Sequence, residues 1–187
     1  MPKFYFCPKI KSAIMRLAIW LLLLGFLIYS ENSLRTAGEE RLKPLVNGKN
    51  PPDLSIGISK EKLINFYEIA GQEGRETYAN ILMRYDLLYP LSYGLFFAYT
   101  ISLLVRNFRK RLLSILIFLP LISMLSDFVE NAGFILLAYE YPNFDDQLFQ
   151  IARTAQILKW SMAFASVATI IVLLIANGIR LAMRSKS

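Results

Sequence analysis

Long apolar runs alternate with short charged stretches along this chain, and the apolar residues are clumped instead of recurring at helix or strand period. Ser12 to Tyr29 is a Leu-rich run, and Leu87 to Val105 is uncharged over 19 residues. Leu112 to Tyr139 holds only two charged side chains, and Trp160 to Ile179 is uncharged over 20 residues. A helix crossing a bilayer needs about 20 mainly apolar residues. The pattern therefore predicts an all-α integral membrane four-helix bundle. The expected spans are 12–29, 87–105, 112–139 and 157–180, in a single membrane domain over 1–187 with a partly helical outer segment over 30–86. A basic stretch followed by a Leu-rich run is also what a signal peptide looks like, but Ser30-Glu31-Asn32-Ser33 is a poor cleavage site, so the first run reads as an uncleaved anchor.

Between the runs the pattern changes. Ser30 to Ser59 carries Pro44, Pro51 and Pro52 among Gly and Asn residues and predicts an irregular loop. Ser59 is suited to cap a short amphipathic helix bearing Leu63, Ile64, Phe66, Tyr67 and Ile69, which Gly71 ends. That helix either lies on the membrane surface or covers the bundle. A second helix from Gln72 is expected to run unbroken into the second span. Pro90 falls in the outer turns of that span, and Pro120 near the middle of the third. Tyr139 to Gln156 reads as an acidic outer connection. Ser161, Ala165 and Ala168 offer close packing on the fourth span.

The net charge of +7 changes the picture only once it is mapped onto the runs. Lys3, Lys9, Lys11 and Arg16 precede the first run, Arg106, Arg109, Lys110 and Arg111 separate the second from the third, and Arg180, Arg184 and Lys186 follow the last. These segments hold 11 of the 21 Lys and Arg and none of the 14 Asp and Glu. Under the positive-inside rule both termini are cytoplasmic, in an inner (cytoplasmic) membrane. The excess then reflects orientation and anionic lipid; nucleic acid is not a partner. Membrane lipids and other membrane subunits are the expected partners. The absence of His excludes His-based zinc and haem sites and Ser-His or Cys-His catalysis. Cys7 has no second cysteine with which to form an internal disulfide. No cofactor or metal motif is apparent. Gly71-Gln72-Glu73-Gly74-Arg75 follows no strand and reads as a turn, not a nucleotide loop.

Charged residues inside the spans are the candidate chemistry. Asp127, Glu130 and Asn131 are spaced i, i+3, i+4 and share one helix face with Ser123. Asp127 falls roughly 22 Å along a helix starting at Leu112, in the outer half of the bilayer. Asp86, Tyr89, Pro90 and Tyr93 share a face of the next helix at that depth, and Gln156 and Lys159 open the fourth span there. An ionised carboxylate facing lipid costs about 2.5–3.5 kcal/mol, so these groups should face the bundle interior or a wet cavity. Three acids against Lys159 leave negative charge in excess, so either Arg75, Arg84 or Arg153 folds in or one acid is protonated. Asp86, Tyr89, Tyr93, Asp127, Glu130, Asn131 and Lys159 are the candidate ligand-binding residues, with Arg75, Tyr78 and Pro90 in support.

Gly74-Arg75-x-x-Tyr78, Asp86-x-x-x-Pro90-x-x-Tyr93, Asp127-x-x-Glu130-Asn131, Tyr141-Pro142 and Lys159 together resemble a family of small bacterial four-helix membrane proteins. The resemblance covers about residues 60–179. It implies a four-helix fold and a shared polar site, and no activity. There is a looser similarity to the emopamil-binding type of sterol-isomerase bundle, which also buries acids among aromatics. Three functions follow as expectations. The first is binding of a lipid headgroup, ion or small polar ligand in an outward acidic pocket. The second is an enzyme acting on a lipid or isoprenoid substrate, with no catalytic residue assigned. The third is a structural subunit whose carboxylates only lock helices.

Overall fold

The computed structural model describes residues 8–108 and 111–184. Lys3, Cys7, Arg109, Lys110 and Lys186 lie outside the described residues. Five α-helices make up the described chain: α1 Pro8–Ala37, α2 Lys60–Arg84, α3 Leu88–Val105, α4 Phe118–Glu140 and α5 Asp146–Arg184. Short π and 3-10 turns join them, and the described residues contain no strand. Four helical segments are long and apolar enough to cross a membrane: Ser12–Leu42, Lys60–Val105, Leu113–Glu140 and Asp146–Met183. The chain is a multi-pass membrane protein built as a four-helix bundle.

Helix α4 is the hub, packing on α5, α3 and α2, while α1 joins the bundle chiefly through α3. Lipid tails are as apolar as Leu, so close backbone approach and polar contacts hold such helices together. At the crossing of α4 and α5, a methyl added to Gly133 would sit 2.6 Å from Ala152 Cβ. Ser161 and Ala168 instead face outward, so the close approach lies higher on α5 than the small-residue pattern indicates.

The amphipathic first half of α2 covers the bundle, which decides between its two expected placements. Leu63, Phe66, Tyr67 and Ala70 are buried, and the Tyr67 hydroxyl donates to the Phe134 carbonyl of α4 at 2.9 Å. Ser59 caps this helix, its hydroxyl accepting from the Lys62 N–H at 3.3 Å. Gly71 breaks it with φ +61, a conformation that suits glycine.

Four boundaries differ from expectation. The first helix continues through Ala37 and a π turn over Gly38–Leu42, where a loop was expected from Ser30. Polar residues such as Glu31, Arg35, Glu39 and Lys43 sustain helix well, and the pairs Arg35–Glu31 (3.9 Å) and Lys43–Glu39 (2.6 Å) add i, i+4 support. The turn Tyr85–Leu87 separates α2 from α3, where an unbroken helix was expected. Pro90 explains it: inside a continuous helix its ring would clash with the Asp86 carbonyl, whereas in the first turn of α3 its missing N–H is harmless. Pro120 likewise stands in the first turn of α4, after a 3-10 stretch over Arg111–Ile117, and not at the middle of a span. The connection to α5 shrinks to Tyr141–Asp145, because Asp145 caps that helix by accepting from the N–H groups of Gln147 (2.7 Å) and Leu148 (3.1 Å).

Candidate functional site

The polar residues predicted from three helices meet in one buried cluster. Lys159, from α5, extends its ammonium between two α4 carboxylates, 2.6 Å from Glu130 Oε2 and 3.4 Å from Asp127 Oδ1. Glu130 is fully buried and Lys159 only 8% exposed. The spacing of Asp127 and Glu130 on one helix face is what lets a single ammonium reach both. The Tyr93 hydroxyl of α3 donates to Asp127 Oδ2 at 3.0 Å and lies 3.2 Å from the Ser123 hydroxyl. Ser123 in turn donates to the Lys159 carbonyl at 2.9 Å. The turn before α3 supplies Asp86, whose carboxylate accepts from Asn131 Nδ2 at 3.0 Å. The same amide nitrogen reaches the Asp86 carbonyl at 3.3 Å, and Asn131 Oδ1 is buried with no hydrogen-bond partner. Pro90 is buried beside this turn.

The loop between α1 and α2 completes the cluster, and the irregular composition of that loop gave no sign of it. Gln156 Nε2 donates both to Glu130 Oε1 at 3.0 Å and to the Pro52 carbonyl at 2.9 Å. Gln156 Oε1 accepts the Ile58 N–H at 2.8 Å. The Asp53 carbonyl accepts from Lys159 at 3.3 Å, and the Asp53 carboxylate accepts from the Tyr78 hydroxyl at 2.9 Å. Asp53 is the residue that sequence reasoning missed. Its only signal is its place after Pro51-Pro52, whose fixed backbone angles lead into a single 3-10 turn over Pro52–Leu54.

The remaining candidates lie around this centre. Tyr89 packs edge-on against Tyr93 at 5.3 Å between ring centroids, with no direct bond to the acids. Arg75 is elsewhere: its guanidinium donates to the Tyr67 carbonyl at 3.1 Å and lies 4.4 Å from the centre of the Tyr141 ring. Arg84 is exposed, and Arg153 is half-buried. Neither they nor Arg75 form an ion pair with the buried acids among the described residues. Fully ionised, Asp86, Asp127 and Glu130 outnumber Lys159 by two charges. No set of three or more His, Cys, Asp or Glu is arranged to hold a metal ion among the described residues. Lys159 and Asn131 already take up the faces those acids would present to one.

A cleft of about 360 Å³ opens on the loop side of the cluster. One wall is the outer part of α1 with its π turn (Leu34, Arg35, Gly38, Leu42), and the opposite wall is Tyr78, Ile81 and Leu82 of α2. Asp53 and Tyr89 close its inner end. Asp86, Asp127, Glu130 and Lys159 do not line the cavity; of the predicted site residues, Tyr78 and Tyr89 do. No known protein family, characterised protein or solved structure matches the chain.

Proposed function

We propose that the protein binds a polar lipid headgroup carrying an amine in the cleft between α1 and α2. The observation that carries this reading is the shared inner wall: Asp53 and Tyr89 face the cleft and also touch the buried cluster through Lys159, Tyr78 and Tyr93. The half-buried Asp53 side chain in that wall, with Glu31 and Glu39 beside it, favours a cationic group in the cleft, because a partly buried charge is screened less than one in open water. The cleft volume falls in the ordinary range for small-molecule sites, with apolar walls and a few polar groups that fix orientation. Glu31 and Glu39 line the cleft alongside Arg35 and Lys43, a mixture suited to a zwitterion. A bacterial inner membrane, with the cleft on its outer side, is the setting we infer from the charge pattern.

Gly38 allows a direct test. It lines the cleft, and a side chain there would meet open space instead of protein. Gly38→Leu should leave the fold intact and fill the cavity. In native mass spectrometry, wild type is expected to retain an aminophospholipid that Gly38→Leu has lost, with equal melting temperatures in lipid-free detergent. Equal retention by both proteins rules the reading out. A second reading, in which the cluster only fixes helix register, draws on the tight Lys159–Glu130 pair at a fully buried position.

A further inference from the structure

At the other end of the bundle the basic residues converge on a second cavity. A groove of about 600 Å³ runs between α1 and α3, lined by Arg16, Leu17, Trp20, Leu103, Arg106 and Asn107. We propose that this groove seats a phospholipid with a net negative headgroup, its phosphate between Arg16 and Arg106 and an acyl chain along Leu17 and Leu103.

Three observations carry the assignment. The first is charge. Neither arginine has a carboxylate partner among the described residues, and the segments that meet at this end contain none of the chain's 14 acids. Two guanidiniums beside one groove, with nothing of opposite sign to satisfy them, match a phosphate that accepts several charge-assisted hydrogen bonds. The second is construction. Arg16 is half-buried, and its guanidinium is held by the Ser12 hydroxyl at 2.5 Å, one turn earlier. The Tyr99 hydroxyl fixes the Arg16 carbonyl at 3.3 Å, the Trp20 indole donates to the Thr100 hydroxyl at 3.1 Å, and Asn107 is tied to Asn177 of α5 at 2.6 Å. The walls are therefore positioned by bonds between three helices. The third is polarity along the groove: arginines and Asn107 mark a headgroup level, and the leucines and Trp20 an acyl level. Free phosphate would use the first level and leave the second bare. The groove lies at the opposite end from the cleft and does not depend on what the cleft binds.

The test uses full-length protein in neutral detergent, titrated with phosphatidylglycerol, with phosphatidylcholine of the same chains, and with inorganic phosphate. Bound lipid is read by native mass spectrometry and stability by melting temperature. Wild type should take one phosphatidylglycerol with an affinity about tenfold or more above that for phosphatidylcholine, as two basic contacts would give. Arg16→Gln with Arg106→Gln should abolish that preference. Arg106→Gln alone, at an exposed position, should weaken it without loss of fold, and Arg84→Gln, exposed at the far end and lining neither cavity, should leave it unchanged. Equal lipid preference in wild type and in Arg106→Gln overturns the assignment. So does stabilisation by inorganic phosphate alone equal to that by phosphatidylglycerol, since the site would then be for a free anion.

Discussion

Lys159 is the residue on which the buried cluster depends, because among the described residues it is the sole cation paired with Asp127 and Glu130. Removing it takes the cation from both carboxyl groups at once, whereas neutralising one acid leaves the other still paired. Breaking a buried pair on one side typically costs about 3–5 kcal/mol. Lys159→Met should therefore lower stability in detergent by that order. Glu130→Gln should have a smaller effect, and Asp127→Asn, at the longer 3.4 Å contact, the smallest. Equal melting temperatures across the series would mean that the charges do not hold the helices. Much of this cluster can be read from the chain itself: i, i+3, i+4 spacing on a helix of known direction places Asp127, Glu130, Asn131, Tyr93 and Lys159 at one depth. Asp53 cannot be found that way, because a loop has no period and its fold-back depends on bonds to Gln156 and Lys159 made about a hundred residues later.

At the scale of elements, apolar runs mark where lipid begins and ends, not where a helix does. Ser30–Leu42 and Asp146–Gln156 are helical although polar, since polar side chains beyond the hydrocarbon cost a helix little. The two prolines taught the opposite lesson: Pro90 and Pro120 each set where α geometry can begin, so each falls in a first turn. The crossing of α4 and α5 also turns on one residue. A methyl on Gly133 would press on Ala152 Cβ at 2.6 Å and on its backbone Cα at 3.3 Å. Gly133→Ala should cost about 1–3 kcal/mol, the usual range for overpacking. Adding Ala152→Gly should recover most of the loss, as neighbours in contact are not additive. A double variant as unstable as Gly133→Ala would place the strain elsewhere.

For the molecule as a whole, the start of α1 and the ends of α3 and α5 share one end of the bundle, joined by the Tyr99–Arg16 and Asn107–Asn177 contacts. The start of α1 and the end of α5 therefore lie at the same end, where the positive charge collects. The positive-inside rule predicts a cytoplasmic position for that end, in line with the setting proposed above. In a Cys7→Ser background, Asn143→Cys in the exposed turn before α5 should react with a membrane-impermeant maleimide in intact cells. Labelling only after lysis would invert the topology.

The first helix forms one wall of the cleft yet is attached to the bundle chiefly through α3. Toward the other end of the bundle its ties to α3 are separate contacts: the Trp20–Thr100 and Tyr99–Arg16 bonds and the Trp20–Phe96 rings 5.4 Å apart. Lipid tails wet the outward face of that stretch as readily as a neighbouring helix would. At the cleft the attachment is different: Leu34, Ala37 and Leu42 pack into the same core as Tyr78, Ile81 and Leu82, and the 2.6 Å bond between the Ser30 and Ser92 hydroxyls fastens the foot of the wall. Both walls therefore belong to one body, and a ligand entering there would meet a berth already cut to width.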